Sequence, residues 1–328
     1  MTISTEYDAF LFDLDGTVWE GGRAIVNAVE SINHLDGHVV YITNNASRHP
    51  DLVAEMLTNM GIPTGGSQVL TSAQAAVELA SKELQRGDAI YVLGAESFKE
   101  LARDAGFAVV DSADDNPKAV LHGHNPATGW EQLSEAALSI RKGARYIASN
   151  LDSTLPSERG LMVGNGSMVA AVVSATGVTP ISAGKPEPAM FHQAAEHVGS
   201  RAPLAIGDRL NTDIAGGVAA EMDVFHVLTG VSKHWALVNA EASQRPTFVA
   251  EDLSQLYTDS AELRPGAQGG FVCSAEGEDL VLTGGQPDST PAQALRTVLA
   301  KAWSTEETFT GQVVARGEVA DAALGAWL

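Results

Sequence analysis

Two acidic residues follow a short apolar run near the start of the chain. Ala9 to Phe12 is apolar, and the segment Asp13 to Thr17 after it has the pattern Asp-Leu-Asp-Gly-Thr. Alternate residues at a strand end point to the same side, which would bring the carboxylates of Asp13 and Asp15 together. One carboxylate can then act as nucleophile and metal ligand while the other transfers protons, as in aspartyl-phosphate chemistry. A calcium loop is disfavoured because the later oxygen ligands of an EF-hand are missing.

Hydroxyl, amide and ammonium groups follow two further apolar runs. Thr43, Asn44 and Asn45 come directly after an apolar stretch that ends at residue 42. Their side chains, with exposed N–H groups before the next helix, suit the binding of a phosphate. Lys185 lies between a weaker run, Thr179 to Ser182, and the helix expected after Pro186. A lysine in that position can neutralise charge on a transferring phosphoryl group.

A second pair of carboxylates follows the apolar run Pro203 to Ile206. Asp208 and Asp213 stand five residues apart in what we expect to be a loop between a strand and a helix. Asp208 suits a magnesium ligand, because magnesium prefers an octahedral set of oxygen atoms and keeps several waters. Asp213 is expected to orient Lys185 or a metal-bound water without itself being a metal ligand.

The elements that must position these residues alternate between strand and helix. This alternation predicts an α/β fold with a doubly wound parallel sheet. In such sheets, sites form in the crevice outside the carboxyl ends of the strands, so residues distant in sequence are expected to meet there. We therefore predict one site for Mg²⁺ and phosphate.

Three parts are predicted along the chain. A Rossmann-like core is expected over residues 1–75 and 181–260, with an inserted α/β cap domain over 76–180. An insertion that returns to the same sheet is one way of hanging a cap over an active-site crevice. A small α+β extension is expected over 262–328, in which Phe271 to Cys273 and Asp279 to Leu282 would pair as a hairpin.

Composition restricts the class of protein and its partners. The 328 residues carry a formal net charge of −21, which disfavours nucleic acid and anionic membranes as partners. An anionic small molecule must therefore be attracted locally, by a metal and a few cations. The one cysteine, Cys273, is compatible with a reducing cytoplasm, and neither a signal peptide nor a long apolar span is recognisable. We expect a cytoplasmic protein that acts on a small-molecule phosphate ester.

The four segments together, in this order, resemble the motifs of the haloacid dehalogenase superfamily of phosphatases. The resemblance covers about the first 260 residues. It implies that Asp13 is the nucleophile and a magnesium ligand, and that Asp15 is the general acid/base and supplies a carbonyl to the metal. It also implies that Thr43 and Lys185 bind phosphate. By the same resemblance, Asp208 completes the magnesium site and Asp213 is the second acidic residue of the last motif.

The position of the insertion resembles the subgroup with a large α/β cap, which includes 4-nitrophenyl phosphatase-like proteins. Within it, Thr43 to Arg48, Thr128 to Trp130 and Leu155 to Gly160 resemble actinobacterial glycerol 3-phosphate phosphatases. This implies glycerol 3-phosphate as substrate and a possible homo-oligomer through the cap. Many relatives carry Gly-x-Asp where this chain has Gly-His-Asn at residues 123–125, so the substrate assignment stays open.

Alternative functions remain at this point. Phosphoglycolate, a sugar phosphate or a nucleotide would suit the same chemistry, and a phosphotransferase or mutase would differ only in the acceptor. A sensor that binds a phosphorylated ligand without turnover is disfavoured because the residues Asp13, Asp15, Lys185 and Asp208 are all present.

Overall fold

The computed structural model describes residues 1–157 and 159–328, with the side chains of all of these except Pro156 and Ser157. Glu158, which belongs to the Leu155 to Gly160 motif of the sequence resemblance, lies outside the described residues. The strands and helices alternate, and the larger sheets are parallel, which confirms the predicted α/β class. Contacts divide the chain into two compact units, one of residues 1–39 and 195–328 and one of residues 40–194.

The first unit contains four parallel strands, each hydrogen-bonded to the next. Their order across the sheet is Phe248–Ala250, Asp223–Val227, Pro203–Gly207 and Ala9–Phe12. Phe12 pairs with Ile206, so two of these strands leave the sheet at the same level. Their residues are almost all buried, as expected where helices cover both faces of a parallel sheet. This register brings the segments that begin with Asp13 and Asp208 to one edge.

Short helices accompany these strands. The α-helices are Ile3–Glu6, Ala28–Asn33, Ala215–Ala219, His234–Val238 and Ser260–Leu263, with 3₁₀ turns at Ala242–Gln244 and Leu253–Tyr257. Part of the loop expected around Asp208 and Asp213 is a π-helical turn, Leu210–Ile214, which precedes helix Ala215–Ala219. A ribbon of Trp19–Glu20 and Arg23–Ala24, too short to leave a sequence pattern, follows the first acidic segment.

The C-terminal extension belongs to the first unit and has its own three-stranded sheet. Phe271–Glu276 and Asp279–Gly284 form the predicted antiparallel hairpin, and Val313–Arg316 adds a parallel strand. The helices Pro291–Ala302 and Glu318–Gly325 pack with it. The guanidinium of Arg296 is buried and donates to the Val249 carbonyl over 2.7 Å. This bond fastens the extension to the last strand of the core.

The second unit includes most of strand His38–Thr43, which pairs in parallel with Val69–Thr71. Its own five-stranded parallel sheet has the order Ile181–Ser182, Arg145–Ala148, Ala119–His122, Ala89–Leu93, Ala108–Val110. The helices are Pro50–Asn59, Ser72–Glu83, Glu96–Asp104, Trp130–Arg141, Asn165–Thr176 and the larger part of Ala189–His197, with 3₁₀ turns at Gly66–Gln68 and Ala113–Asp115. A hairpin of Thr154–Ser157 and Gly160–Val163 was not expected from the sequence. The strand Ile181–Ser182 lies at one edge of the five-stranded sheet, beside Arg145–Ala148. The division of the chain into core, cap and extension stays a prediction.

Within residues 1–157 and 159–328, no helix combines the length and the hydrophobicity needed to cross a bilayer.

Candidate active site

Three carboxylates converge at the carboxyl edge of the first unit's sheet. Oxygen atoms of Asp13, Asp208 and Asp213 all lie within 4.8 Å of one another. Asp208 and Asp213 are buried, with 1% and 4% of their surface exposed, and Asp13 is partly exposed. Like charges this close repel one another in a poorly solvated site. A divalent cation would relieve that repulsion.

Asp208 is fixed by segments from two sides. Its Oδ2 accepts a hydrogen bond from the main-chain N–H of Val231 over 2.5 Å, and its main-chain carbonyl accepts one from Ser232. Two glycines allow this approach: a Cβ at Gly16 would lie 2.6 Å from Oδ2, and one at Gly230 would lie 2.0 Å from it. The positive φ of 95° at Gly16 also favours glycine there. The carboxylate is therefore held before any ligand arrives.

Asp213 is held by the loop that contains it. Its Oδ2 accepts the N–H of Arg209 over 3.0 Å, which explains why the chain turns tightly before the helix. A Cβ at Gly207 would lie 2.3 Å from the Cβ of Asp213, so the strand end must be glycine. We expected Asp213 to support the metal ligands without being one of them. Its carboxylate lies close enough to those of Asp13 and Asp208 to contact the same ion.

Asp15 has a separate environment. Its side chain is exposed, and its Oδ1 accepts a hydrogen bond from Nε1 of Trp19 over 2.8 Å. The indole of Trp19 is itself buried, so it provides a rigid donor. No pattern in the sequence marks Trp19 for this contact. The supply of the Asp15 carbonyl to a metal stays a prediction.

The predicted phosphate-binding residues lie in the second unit. Thr43 ends its strand and is buried, and its Oγ1 accepts the N–H of Asn45 over 3.1 Å. Lys185 is also buried, and its Nζ donates to the carbonyl of Ile42 over 3.1 Å. The hydroxyl and the ammonium therefore both lie at the carboxyl end of strand His38–Thr43.

The two asparagines have their oxygens engaged within the protein. Oδ1 of Asn44 accepts the N–H of Lys185, and Oδ1 of Asn45 accepts both the N–H and the hydroxyl of Ser47. Their predicted role as direct phosphate ligands is not tested by these contacts. What the contacts establish is that both side chains shape the loop.

Two histidines of the second unit, His122 and His124, are affected by burial. His122 is buried, its Nδ1 lies 2.8 Å from the hydroxyl of Tyr146, and burial lowers its pKa to about 3. Burial also lowers the pKa of His124. His122 is therefore neutral at physiological pH.

The donor set fits a hard divalent cation. Carboxylate oxygens are the ligands that Mg²⁺ and Ca²⁺ take in proteins, and nitrogen- or sulfur-binding metals would call for histidine or cysteine. Asp13, Asp208 and Asp213 would hold such an ion.

Sequence reasoning missed Val231 and Gly230, which support Asp208. They leave no signal in the sequence because they contact Asp208 only after folding.

Comparison with known proteins identifies the family. The family model described as haloacid dehalogenase-like hydrolase matches residues 10–108, and the one described as HAD-hydrolase-like matches residues 182–256. D-glycerol 3-phosphate phosphatase of Mycobacterium tuberculosis is 43% identical over 276 residues, covering 84% of this chain and 78% of that protein. Acid sugar phosphatase of Staphylococcus saprophyticus is 35% identical over 255 residues, covering 76% and 96%.

Solved structures agree with this assignment. The crystal structure of a glycerol phosphate phosphatase from Mycobacterium tuberculosis in complex with magnesium has a TM-score of 0.95 and 39% identity, covering 100% of this chain and 98% of that one. A 4-nitrophenylphosphatase from Thermotoga maritima has a TM-score of 0.74 and 29% identity, covering 79% and 100%.

The chain belongs to the haloacid dehalogenase-like hydrolase family. The predicted enzyme class, a phosphatase of this family, is confirmed. The predicted magnesium cofactor agrees with the carboxylate cluster of this chain and with the ion in the related structure.

Proposed function

We propose that this enzyme is a magnesium-dependent phosphomonoester hydrolase whose substrate is glycerol 3-phosphate. The observation that carries the proposal is the cluster of Asp13, Asp208 and Asp213, which supplies a nucleophile beside the ligands of a divalent cation. The substrate rests on the relative named as a D-glycerol 3-phosphate phosphatase, with 43% identity.

The proposed reaction has two steps. A carboxylate oxygen of Asp13 forms a bond to phosphorus while the bond between phosphorus and the alcohol oxygen breaks, and protonated Asp15 gives its proton to that oxygen. Asp15, now a carboxylate, takes a proton from water, whose oxygen attacks phosphorus and releases Asp13 and inorganic phosphate. Magnesium, when bound, would neutralise negative charge on the phosphoryl oxygens. The bond from Trp19 holds the Asp15 carboxylate in one orientation for both transfers.

We assign phosphate recognition to Thr43 and Lys185. Asn44 and Asn45 shape the loop that follows Thr43 and support this recognition. A buried lysine keeps few hydrating waters, which strengthens its attraction to a dianionic group. The net charge of −21 makes such local attraction necessary, because the rest of the surface repels an anion.

A sugar phosphate is the second candidate substrate. It is favoured by the acid sugar phosphatases of Staphylococcus species, which are 35–36% identical over about three quarters of this chain. Phosphoglycolate and nucleotides would use the same chemistry, and a phosphotransferase would use an alcohol in place of water. The cap residues at 123–125, Gly-His-Asn, leave these choices to experiment.

A kinetic panel separates these possibilities. Release of inorganic phosphate is measured from glycerol 3-phosphate, phosphoglycolate, several sugar phosphates and nucleotides, with Mg²⁺ and with EDTA. The proposal requires the highest kcat/KM for glycerol 3-phosphate and loss of turnover with EDTA. A higher value for a sugar phosphate would replace the substrate but keep the class. Transfer of labelled phosphate to an alcohol without release would identify a phosphotransferase.

A further inference from the structure

The side chain of Asn44 makes a reciprocal pair of hydrogen bonds with the main chain of Lys185. Its Oδ1 accepts the N–H of Lys185 over 2.8 Å, and its Nδ2 donates to the carbonyl of Lys185 over 3.0 Å. Nδ2 also donates to Oδ2 of Asp152 over 3.1 Å. An asparagine amide has two N–H donors, so both are used by these contacts. Direct donation to a substrate would require one of these bonds to break.

The residue before Lys185 is shaped by the same contact. A Cβ at Gly184 would lie 2.6 Å from Oδ1 of Asn44 and 2.4 Å from the carbonyl oxygen of Ser149. Any larger residue there would push the chain away from the amide. The glycine at 184 is therefore required for the bond pair to form.

Further asparagines fix Asn44 itself. Its main-chain carbonyl accepts Nδ2 of Asn150 over 2.7 Å and the hydroxyl of Ser72 over 2.7 Å. The carbonyl of Asn150 in turn accepts Nδ2 of Asn165 over 2.8 Å. Asn150 and Asn165 are buried, so these bonds are shielded from water and hold their geometry.

We infer that Asn44 is a positioning residue that holds the Lys185 main chain and thereby places the ammonium group for phosphate. This deepens the proposed function and rests on it. The ammonium lies on a long flexible side chain, and its position is defined by the two ends that are fixed. One end is the main chain gripped by Asn44, and the other is the bond from Nζ to the Ile42 carbonyl. A displacement of about 1 Å at such a group can cost about a hundredfold in catalysis.

The test measures binding of inorganic phosphate in Mg²⁺ by calorimetry for the wild type, Asn44→Ala, Lys185→Ala and the double variant. We expect Asn44→Ala to weaken phosphate binding about tenfold or more, by analogy with loss of supporting contacts around a site. In the Lys185→Ala background the same substitution should change binding less than twofold, because the group that it positions is gone. An equal loss in both backgrounds would overturn the proposal.

Two further variants keep the test independent of one substitution. Gly184→Ala approaches the same bond pair from the other side and should weaken phosphate binding as Asn44→Ala does. Asn44→Asp keeps an acceptor for the Lys185 N–H but sets a carboxylate oxygen against the Lys185 carbonyl and Oδ2 of Asp152, so it should weaken phosphate binding at least as much as Asn44→Ala does. Asn44→Ala with a lower Tm but wild-type phosphate affinity would show a merely structural role and overturn the proposal.

The matched control is Asn239→Ala, an exposed asparagine at the end of helix His234–Val238. It should leave phosphate affinity unchanged. Failure of the proposed function looks different. If Lys185→Ala itself binds phosphate as the wild type does, the assignment of Lys185 falls, whatever Asn44→Ala does.

Discussion

The indole Nε1 of Trp19 lies 2.8 Å from Oδ1 of Asp15 and donates a hydrogen bond to it. This contact joins the proposed proton donor to a buried ring four residues along the chain. Because an exposed aspartate otherwise samples several rotamers, one fixed donor restricts the carboxylate to fewer orientations. Trp19 is therefore the residue outside the sequence motifs with the clearest expected effect on proton transfer.

Replacing Trp19 by Phe keeps a buried aromatic ring and removes the N–H. General acid–base catalysis contributes about 10²–10⁴-fold, and part of this is lost when the Asp15 carboxyl group is no longer held in one orientation, so kcat should fall about tenfold or more. Inhibition by inorganic phosphate should stay the same, because we assign phosphate binding to Thr43 and Lys185. Steady-state kinetics with glycerol 3-phosphate measures both. Trp130→Phe, at a ring that is 83% exposed, is the control and should not alter kcat.

Gly230 supports the metal site by having no side chain. A Cβ there would lie 2.0 Å from Oδ2 of Asp208, so Gly230→Ala must displace either the carboxylate or the segment that donates to it. Disturbing such supporting contacts typically lowers metal affinity about ten- to a hundredfold. Calorimetric titration with Mg²⁺ measures this. Gly325→Ala, where a Cβ meets nothing within 4 Å, should bind Mg²⁺ as the wild type does. Equal affinity in both variants would contradict this account of Asp208.

Arg296 is expected to be the main polar anchor of the C-terminal extension. Its guanidinium donates to the Val249 carbonyl and to side chains of Gln268 and Gln255. Burial lowers its pKa to about 10, so it stays charged at neutral pH. Arg296→Leu would leave the Val249 carbonyl unsatisfied and should lower the free energy of unfolding by about 2–3 kcal/mol.

Urea denaturation measures this change. Arg316→Leu is the matched control in the same extension. That arginine is exposed, and its guanidinium pairs with the carboxylate of Glu276 at the surface. Exposed ion pairs contribute little to stability. A loss at Arg316 as large as that at Arg296 would contradict the anchoring role.

The sequence predicted the parts of the site that depend on strand ends. Asp13 and Asp208 each follow a buried apolar run, and the parallel register of Phe12 with Ile206 brings them together as expected. Trp19 and Gly230 could not be found in this way, because their roles depend on approaches between loops that have no periodic pattern. Thr154–Ser157 with Gly160–Val163 was missed for a related reason: its strands carry a proline and exposed residues in place of alternating polarity.

The buried histidine His122 makes stability depend on pH. Burial lowers its pKa from 6.5 to about 3, so below pH 6.5 the unfolded chain binds a proton that the folded chain does not. Stability is then lost as the pH falls from about 6.5 towards 4, by about 1.4 kcal/mol per pH unit for each such proton. His122→Gln should reduce that slope by one proton. Urea denaturation from pH 7 to pH 4.5 measures it, and an unchanged slope would contradict the neutral state of His122.

Asp13→Asn tests the central claim most directly, because it removes the proposed nucleophile with little change in shape. Release of inorganic phosphate from glycerol 3-phosphate is measured with saturating Mg²⁺ for the wild type and the variant, with thermal melting to confirm that both are folded. The account predicts Mg²⁺-dependent turnover by the wild type and a loss of about a thousandfold or more in the folded variant, as for nucleophiles that act covalently. A folded Asp13→Asn enzyme that releases phosphate at the wild-type rate would contradict it.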